Sequence, residues 1–436
     1  MENKYSKPMW DLCRKLRTLI PSQNMYANVV KLLFIRYIAK YPDDFIHLAY
    51  TPESLKTLME FSRKYSSARN GSEPISQGDL GKILQEIDGC LMNEKYGTHL
   101  ADIMETMPYF FDYRTQSALL NVLDEFELDN NPKNIKECLE ALTVEAKGDV
   151  FAYGRMSTTY PLRRIASDLL DVCDKDDLFD CFCGYSSLLL NDVNPKEYIG
   201  YELNNEAALV SLMTATMLKV RSCIYNQDFL YSETRGIADK VFVDPPLGIK
   251  RDIPWLTEKY QINTKDMDII SVYKAVSALK EDGKAVIAVP GKVLFSQSKI
   301  GNSLRNMLLE NSLRAVLTLP ALWAGCSINT NILLIDKTYH GDVMFVKAEN
   351  IGLNNKKRVD FSENDYKLVF DAVHNEIEGI SRYVNKQEIV AKDTLMPATY
   401  VNTVKTRTVR EIEDIDMELI SLYNELKSNL TNMSKR

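Results

Sequence analysis

The sequence predicts an α/β protein: an open, mostly parallel sheet preceded by an all-α region and followed by a coiled-coil-type helix. Three observations carry that prediction. Apolar residues in the first 150 positions recur at steps of three and four, the period of a helix. From about residue 150, short apolar runs alternate with helical segments, the signature of βαβ units. Beyond residue 400, Ile412, Ile415, Leu419, Leu422, Leu426 and Met433 are spaced 3, 4, 3, 4 and 7 apart, an a/d seam over about three heptads.

In the first region Trp10, Cys13, Leu16, Leu19 and Ile20 form one stripe, and Val29, Leu32, Leu33, Ile35 and Ile38 continue it. The stretch RKYSSARNGSEPISQG (63–78) is rich in serine, glycine and charge and predicts an exposed loop. Helical patterning resumes in LGKILQEIDGCL and ALLNVLDEFEL. The predicted strands are DLFDCF (177–182), YIGYEL (198–203), KVFVDPP (240–246), KAVIAVP (284–290), RAVLTLP (314–320) and NILLIDK (331–337). Between them, NEAALVSLMTATMLKV (205–220) and IISVYKAVSALKE (269–281) predict helices. The terminal seam cannot bury its own stripe, so it packs either on its own domain or on a partner's helix.

A chain of 436 residues exceeds what one hydrophobic core usually holds, so two or three domains are expected. The charge balance, 53 − 60 = −7, excludes binding by bulk positive charge and leaves room for a local basic groove. Eight cysteines in so long a chain, with no signal peptide ahead of them, predict reduced thiols and a cytoplasmic protein rather than a disulfide framework. The greasiest stretch, VVKLLFIRYIAKY, carries Lys31 and Arg36, so no membrane span is expected.

Ligands of open parallel sheets bind at the carboxyl ends of the strands. There, VFVDPPLG (241–248) ends a strand in an acid and two prolines, which cannot donate to the ladder. A carboxylate and a free carbonyl aimed together can accept both hydrogens of an exocyclic amine; the same four residues are also an ordinary strand-ending turn. FDCFCGYSSLLL (179–190) follows a strand and predicts the opening of a helix, with Asp180 and Gly184 suited to a nucleotide-type cofactor. Glu202 ends the next strand and can accept from ribose hydroxyls; Asp228, in YNQDFL, can read an adenine. Singly, each acid is also a helix cap or a solvated group. Cys173, Cys181 and Cys183 match no zinc spacing, and no metal site is expected.

Glycine turn, Glu, Asp and acid-Pro-Pro follow one another at roughly one βα unit each. In that order they resemble the modification subunit of type I restriction-modification systems, the gamma-class N6-adenine DNA methyltransferases. The likeness spans nearly the whole chain. MWDLCRKLRTLIPSQNMYANVVKLLFIRYIAK resembles the family's helical N-terminal domain, and LGKILQEIDGCL its "D-x-L-G-x-x-Y-E" helix. GRMSTTYPLRRIASDLL (154–170) resembles the "GEFYTP" segment, with Thr158 at the threonine position and Thr159 in place of proline. FDCFCGYSSLLL resembles "D-P-A-C-G-S-G-G-F-L", keeping Asp180, Cys183 and Gly184, with Ser186 and Ser187 for two glycines. Asp244, Pro245 and Pro246 match "N/D-P-P-F/Y", with Leu247 in the aromatic position. KEDGKAVIAVPGKVLFS and the run from RAVLTLP to NILLIDK resemble the later strands, and LMPATYV (395–401) with the heptad helix resembles the segment that contacts a specificity subunit.

The resemblance implies a helical domain over 1–150 for DNA or partner contact, a Rossmann-like S-adenosylmethionine-dependent domain over 151–395, and a docking segment over 396–436. It implies S-adenosylmethionine over the Asp180–Gly184 turn, with Thr158 and Cys183 beside it, Glu202 on the ribose, Asp228 on the adenine and Phe229 against a ring face. Asp244 and the Pro245 carbonyl would hold the N6 amine of a flipped adenine, flanked by Pro246 and Leu247. Implied partners are double-stranded DNA, a specificity subunit through 408–433 and a restriction subunit, with two copies of this chain per complex. Leucine at 247 forgoes base stacking, roughly a 10- to 100-fold loss. Serines at 186 and 187 cost about 1–3 kcal/mol if the turn needs positive φ there, and Tyr185 adds bulk. A silent relative kept for DNA binding or assembly, or an enzyme acting on a protein or RNA amine, are the alternatives.

Overall fold

The computed structural model describes residues 3–48, 52–90, 98–145, 156–323, 326–352, 359 and 361–402. The heptad seam therefore lies outside the described residues. None of the described helices is long and apolar enough to cross a membrane.

Six α-helices come first: α1 (Ser6–Leu16), α2 (Met25–Lys40), α3 (Pro52–Arg69), α4 (Gln77–Cys90), α5 (Tyr113–Asp124) and α6 (Pro132–Glu145). Helix α1 buries Met9, Leu12, Cys13 and Leu16, while Trp10 is 48% exposed under Arg14. The expected stripe thus turns by one residue, with Met9 rather than Trp10 facing the core. Helix α2 is buried from Met25 to Ala39. A helix closed in on every side must pair its charges, and Lys31 meets Glu206 while Arg36 donates to the Leu128 carbonyl. The loop expected over 63–78 is shorter than the composition suggests. Helix α3 continues to Arg69 because Phe61, Tyr65 and Ala68 form a buried face hidden among the polar residues.

The sheet has nine strands: β1 (Asp177–Asp180), β2 (Glu197–Tyr201), β3 (Ser222–Tyr225), β4 (Ala238–Val243), β5 (Leu279–Val289), β6 (Leu313–Leu319), β7 (Thr330–Asp336), β8 (Val343–Lys347) and β9 (Ser381–Val384). Their order is β3-β2-β1-β4-β5-β7-β6-β8-β9. Strands β1 to β5 pair in parallel; β7 runs antiparallel between β5 and β6, and β9 antiparallel on β8. The helix predicted over 269–281 runs instead from Met267 to Ala278, because β5 takes Leu279 onward through its turn-like KEDG. The helix expected after the glycine turn is a single 3-10 turn, Ser187–Leu190. Strands β3, β8 and β9 have no forerunner among the predicted strands.

Residues 1–401 form one compact unit, and one hydrophobic cluster runs without a break from Tyr5 of the helical region to Val373 beyond the sheet. LMPATYV closes that unit: Leu395, Tyr400 and Val401 are buried, and the Tyr400 ring lies 4.3 Å from that of Phe345 in β8.

Candidate active site

Four carboxylates stand along one edge of the sheet. Asp180 is the last residue of β1, Glu202 and Asp244 directly follow β2 and β4, and Asp228 lies three residues past β3. Register sets Glu202 and Asp244 level with each other and two residues beyond Asp180, which pairs with Gly200 on one side and Phe242 on the other. Strand order then sets them side by side as Asp228, Glu202, Asp180, Asp244. At about 4.8 Å per strand, the row spans roughly 14 Å.

The turn after β1 is closed by backbone contacts. The Cys181 amide donates to the Phe242 carbonyl at 3.1 Å and the Cys183 amide to that of Tyr201 at 2.9 Å. Gly184 has φ +52°, and a Cβ there would fall on the Met156 carbonyl oxygen, far inside contact distance. No other residue fits. Ser186 adopts φ +54° although it carries a side chain, which costs about 1–2 kcal/mol. Its hydroxyl is fully used: it meets Ser211 and donates to the Tyr198 hydroxyl at 2.9 Å, which in turn donates to Asp180 Oδ2 at 3.0 Å. Ser187 accepts from the Thr158 amide at 3.1 Å, and its carbonyl takes the buried Arg163 guanidinium at 3.0 Å. Ser186 is therefore wired into the acid, and Ser187 into the segment before the helix Tyr160–Leu170.

Burial pushes the Asp180 carboxyl up to about 7, against the pull of the Tyr198 hydroxyl, with Asp244 and Glu202 adding repulsion. Burial also raises Glu202, which accepts from the Asn204 amide at 2.6 Å and the Gly184 amide at 3.2 Å. An ionised carboxylate has about four acceptor positions, so the backbone amides leave Glu202 room for a hydroxyl. Asp228 caps the 3-10 turn Phe229–Tyr231 by accepting from the Leu230 amide at 3.0 Å, and pairs with Arg251 at 2.7 Å. Phe229 is 1% exposed, edge-on to Phe179, Phe182 and Tyr201. Of the two packed rings 5.5 Å apart, Phe182 is half-buried while Phe229 is closed off from solvent. Behind Phe229, Lys274 donates to the Phe229 carbonyl and to that of Ser232 at 2.8 Å; burial lowers its ammonium to about 8.

At the other end of the row, β4 stops at Asp244 because Pro245 and Pro246 have no amide hydrogen to give. Pro245 is buried, Pro246 exposed and Leu247 half-buried. Asp244 accepts from the Thr158 hydroxyl on Oδ2 and from the Trp323 indole on Oδ1, each at 2.8 Å. Burial raises its carboxyl and these two donors hold it back. Thr159, in the position of a proline, donates to the Leu322 carbonyl at 2.6 Å, a tie proline could not make. The following loop is pinned from below. Met267 donates to the Ile249 carbonyl at 3.0 Å, and Lys292 pairs with Asp266 and fully buried Asp268, each at 2.7 Å.

Asp180, Cys183, Gly184, Glu202, Asp228, Asp244 and Thr158 thus share one strip of the sheet edge. Missed from sequence were Trp323, Tyr198, Arg251 and Lys274. Trp323 had a usable signal, since it stands three residues past RAVLTLP, at another carboxyl end. Tyr198 and Lys274 had none, because their partners come from other elements.

Residues 142–409, more than half of the chain, match the family model of N-6 DNA methylases. The fold is similar to that of the type I restriction-modification methyltransferase subunit from Streptococcus thermophilus, with TM-score 0.72 at 18% identity over 91% of this chain and 99% of that one. It is also similar to a protein from Vibrio vulnificus YJ016 assigned as a modification subunit of a type I restriction enzyme (TM-score 0.64, 13% identity, 89% and 94% covered). A third match is a chain from a structure of a type I restriction-modification system (TM-score 0.64, 13% identity, 100% and 98% covered). The chain belongs to the N-6 DNA methylase family, and its nine-stranded sheet carries the fold of type I methyltransferase subunits.

Proposed function

We propose that this chain is the modification subunit of a type I restriction-modification complex, transferring a methyl group from S-adenosylmethionine to N6 of adenine in double-stranded DNA. The observation that carries this reading is Asp244-Pro245-Pro246 at the end of β4, beside the glycine turn that follows Asp180 and level with Glu202 after β2.

When bound, S-adenosylmethionine supplies an electrophilic methyl group. The residues present suit it: Gly184 lets the turn close, Glu202 would accept from ribose hydroxyls, and Asp228 would accept from an adenine amine. Thr158 and Cys183 belong to the same strip. The target adenine leaves the stack because its N6 is out of reach inside the duplex. Asp244 and the Pro245 carbonyl accept the two N6 hydrogens, which aims the nitrogen lone pair at the methyl carbon. The gain comes from proximity and electrostatic orientation, with no covalent enzyme intermediate.

The same reading gives the partners: duplex DNA, a specificity subunit docked on residues 408–433, a restriction subunit and a second copy of this chain. Residues 1–150 would contribute to DNA or subunit contact, in the cytoplasm. A second reading, a silent assembly subunit, is favoured by Leu247 and by the strained turn at Ser186. Calorimetric titration with S-adenosylmethionine, beside Asp180→Ala and with the specificity subunit added, separates the two. Micromolar binding lost in the variant, with methyl label appearing on adenine, supports the enzyme. A folded complex that binds no cofactor supports the silent subunit.

A further inference from the structure

Asp244 is held by two donors of different kinds. The Trp323 indole N–H gives to Oδ1 and the Thr158 hydroxyl to Oδ2, both at 2.8 Å. An indole N–H is a fixed donor that cannot accept, whereas a hydroxyl rotates and can donate elsewhere. The indole is itself fixed at its backbone. Leu322 donates its amide to the buried Thr330 hydroxyl at 2.9 Å and accepts from Thr159 on its carbonyl. The Trp323 carbonyl takes the Cys326 amide at 3.2 Å. Consecutive threonines, 158 and 159, thus hold the acid and the loop that carries its second donor.

We propose that Trp323 is a positioning residue for methyl transfer, its N–H fixing Oδ1 of Asp244 so that Oδ2 is the oxygen that takes a hydrogen of the substrate amine. The inference rests on the methyltransferase reading and adds to it a residue outside the acid-Pro-Pro motif. A carboxylate that must accept from an amine has to be ionised and correctly rotated. The indole meets both needs: a hydrogen bond to a charged acceptor favours the charged form, and its fixed direction sets the plane of the carboxylate. The titratable groups facing Asp244 from neighbouring strands are Asp180 on β1 and, beyond it, Glu202 after β2, both acidic. Among the described residues no lysine or arginine forms an ion pair with Asp244, so the neutral donors carry the stabilisation.

The test is Trp323→Phe, which keeps an aromatic ring at the position and removes the N–H. In the reconstituted complex with specificity subunit and cognate duplex, the variant should bind S-adenosylmethionine and DNA within about twofold of the parent. Its single-turnover methylation rate at neutral pH should fall roughly 10- to 100-fold, and the acid limb of its pH–rate profile should move to higher pH. An unchanged rate and profile would overturn the inference and leave the function standing. A parent complex that binds no S-adenosylmethionine would remove the function, and the inference with it.

A second readout needs no turnover. In a Trp10→Phe/Trp255→Phe protein the sole remaining tryptophan is Trp323, and its emission should follow a titration above the ordinary carboxylate range. The step should persist with Asp180→Asn and vanish with Asp244→Asn. Emission flat with pH in the folded protein overturns the inference.

Discussion

Tyr185, in the turn after β1, stacks on Tyr26 of α2 with ring centroids 5.0 Å apart. Its hydroxyl donates to the Asn24 side chain at 2.9 Å, and Asn24 and Lys31 both reach Glu206 at the start of the helix Asn205–Met217. The bulky residue in the glycine turn therefore faces the helical region, away from the row of acids. The N-terminal helices brace the turn on which the cofactor reading depends.

Tyr185→Ala should cost about 3–5 kcal/mol by cavity formation and weaken S-adenosylmethionine binding at the same time. Tyr185→Phe, which loses one hydrogen bond, should cost about 1 kcal/mol. Chemical denaturation beside calorimetric titration checks both; cofactor affinity unchanged in a folded Tyr185→Ala protein would show that the brace does not reach the turn.

Ser186 presents two opposed effects, a strained φ and a satisfied hydroxyl. Ser186→Gly removes both and should lie within about 1 kcal/mol of the parent. Ser186→Ala keeps the strain and loses the hydrogen bonds, so it should be the less stable of the two by about 1–2 kcal/mol. Equal stabilities would mean that φ +54° carries no penalty here.

Asp180 predicts a pH signature. Its folded-state carboxyl lies at about 7, well above an unfolded aspartate near 3.8. Between those values the native chain binds more protons than the unfolded one, so this group's contribution falls as pH rises from about 4 to about 7. Asp180→Asn removes that slope. The variant's stability relative to the parent should rise by a few kcal/mol, order of magnitude, between pH 4 and pH 8. A difference constant with pH in urea titrations would refute the assignment.

Leu247 tests the missing stacking surface. Leu247→Tyr should raise methylation efficiency by up to roughly 10-fold if the flipped adenine lies over this half-buried position. S-adenosylmethionine affinity should not change. A lower rate with intact cofactor binding would place the base elsewhere.

Strands β1, β2 and β4 to β7 were legible because each is a short apolar run with a turn signal after it, and the acid-Pro-Pro stop was legible because proline ends a ladder locally. Ser186 could be flagged from composition, but its φ could not. Strands β3, β8 and β9 were not read: SCIY is mostly half-buried, SRYV has polar residues at two of four positions, and all three sit toward the ends of the sheet, where pairing is set by tertiary docking.

The chain by itself determined its α/β class and the acids at the strand ends, because periodicity, turn chemistry and proline act over a few neighbouring residues. Tertiary structure decided what those acids meet. Trp323 reaches Asp244 across 79 positions, Thr158 across 86 and Asn24 reaches Tyr185 across 161. Such contacts depend on strand order and on how helices close over the sheet. Burial then decided the protonation of Asp180, since only a carboxyl withdrawn from water and set beside two other acids is driven up to about 7.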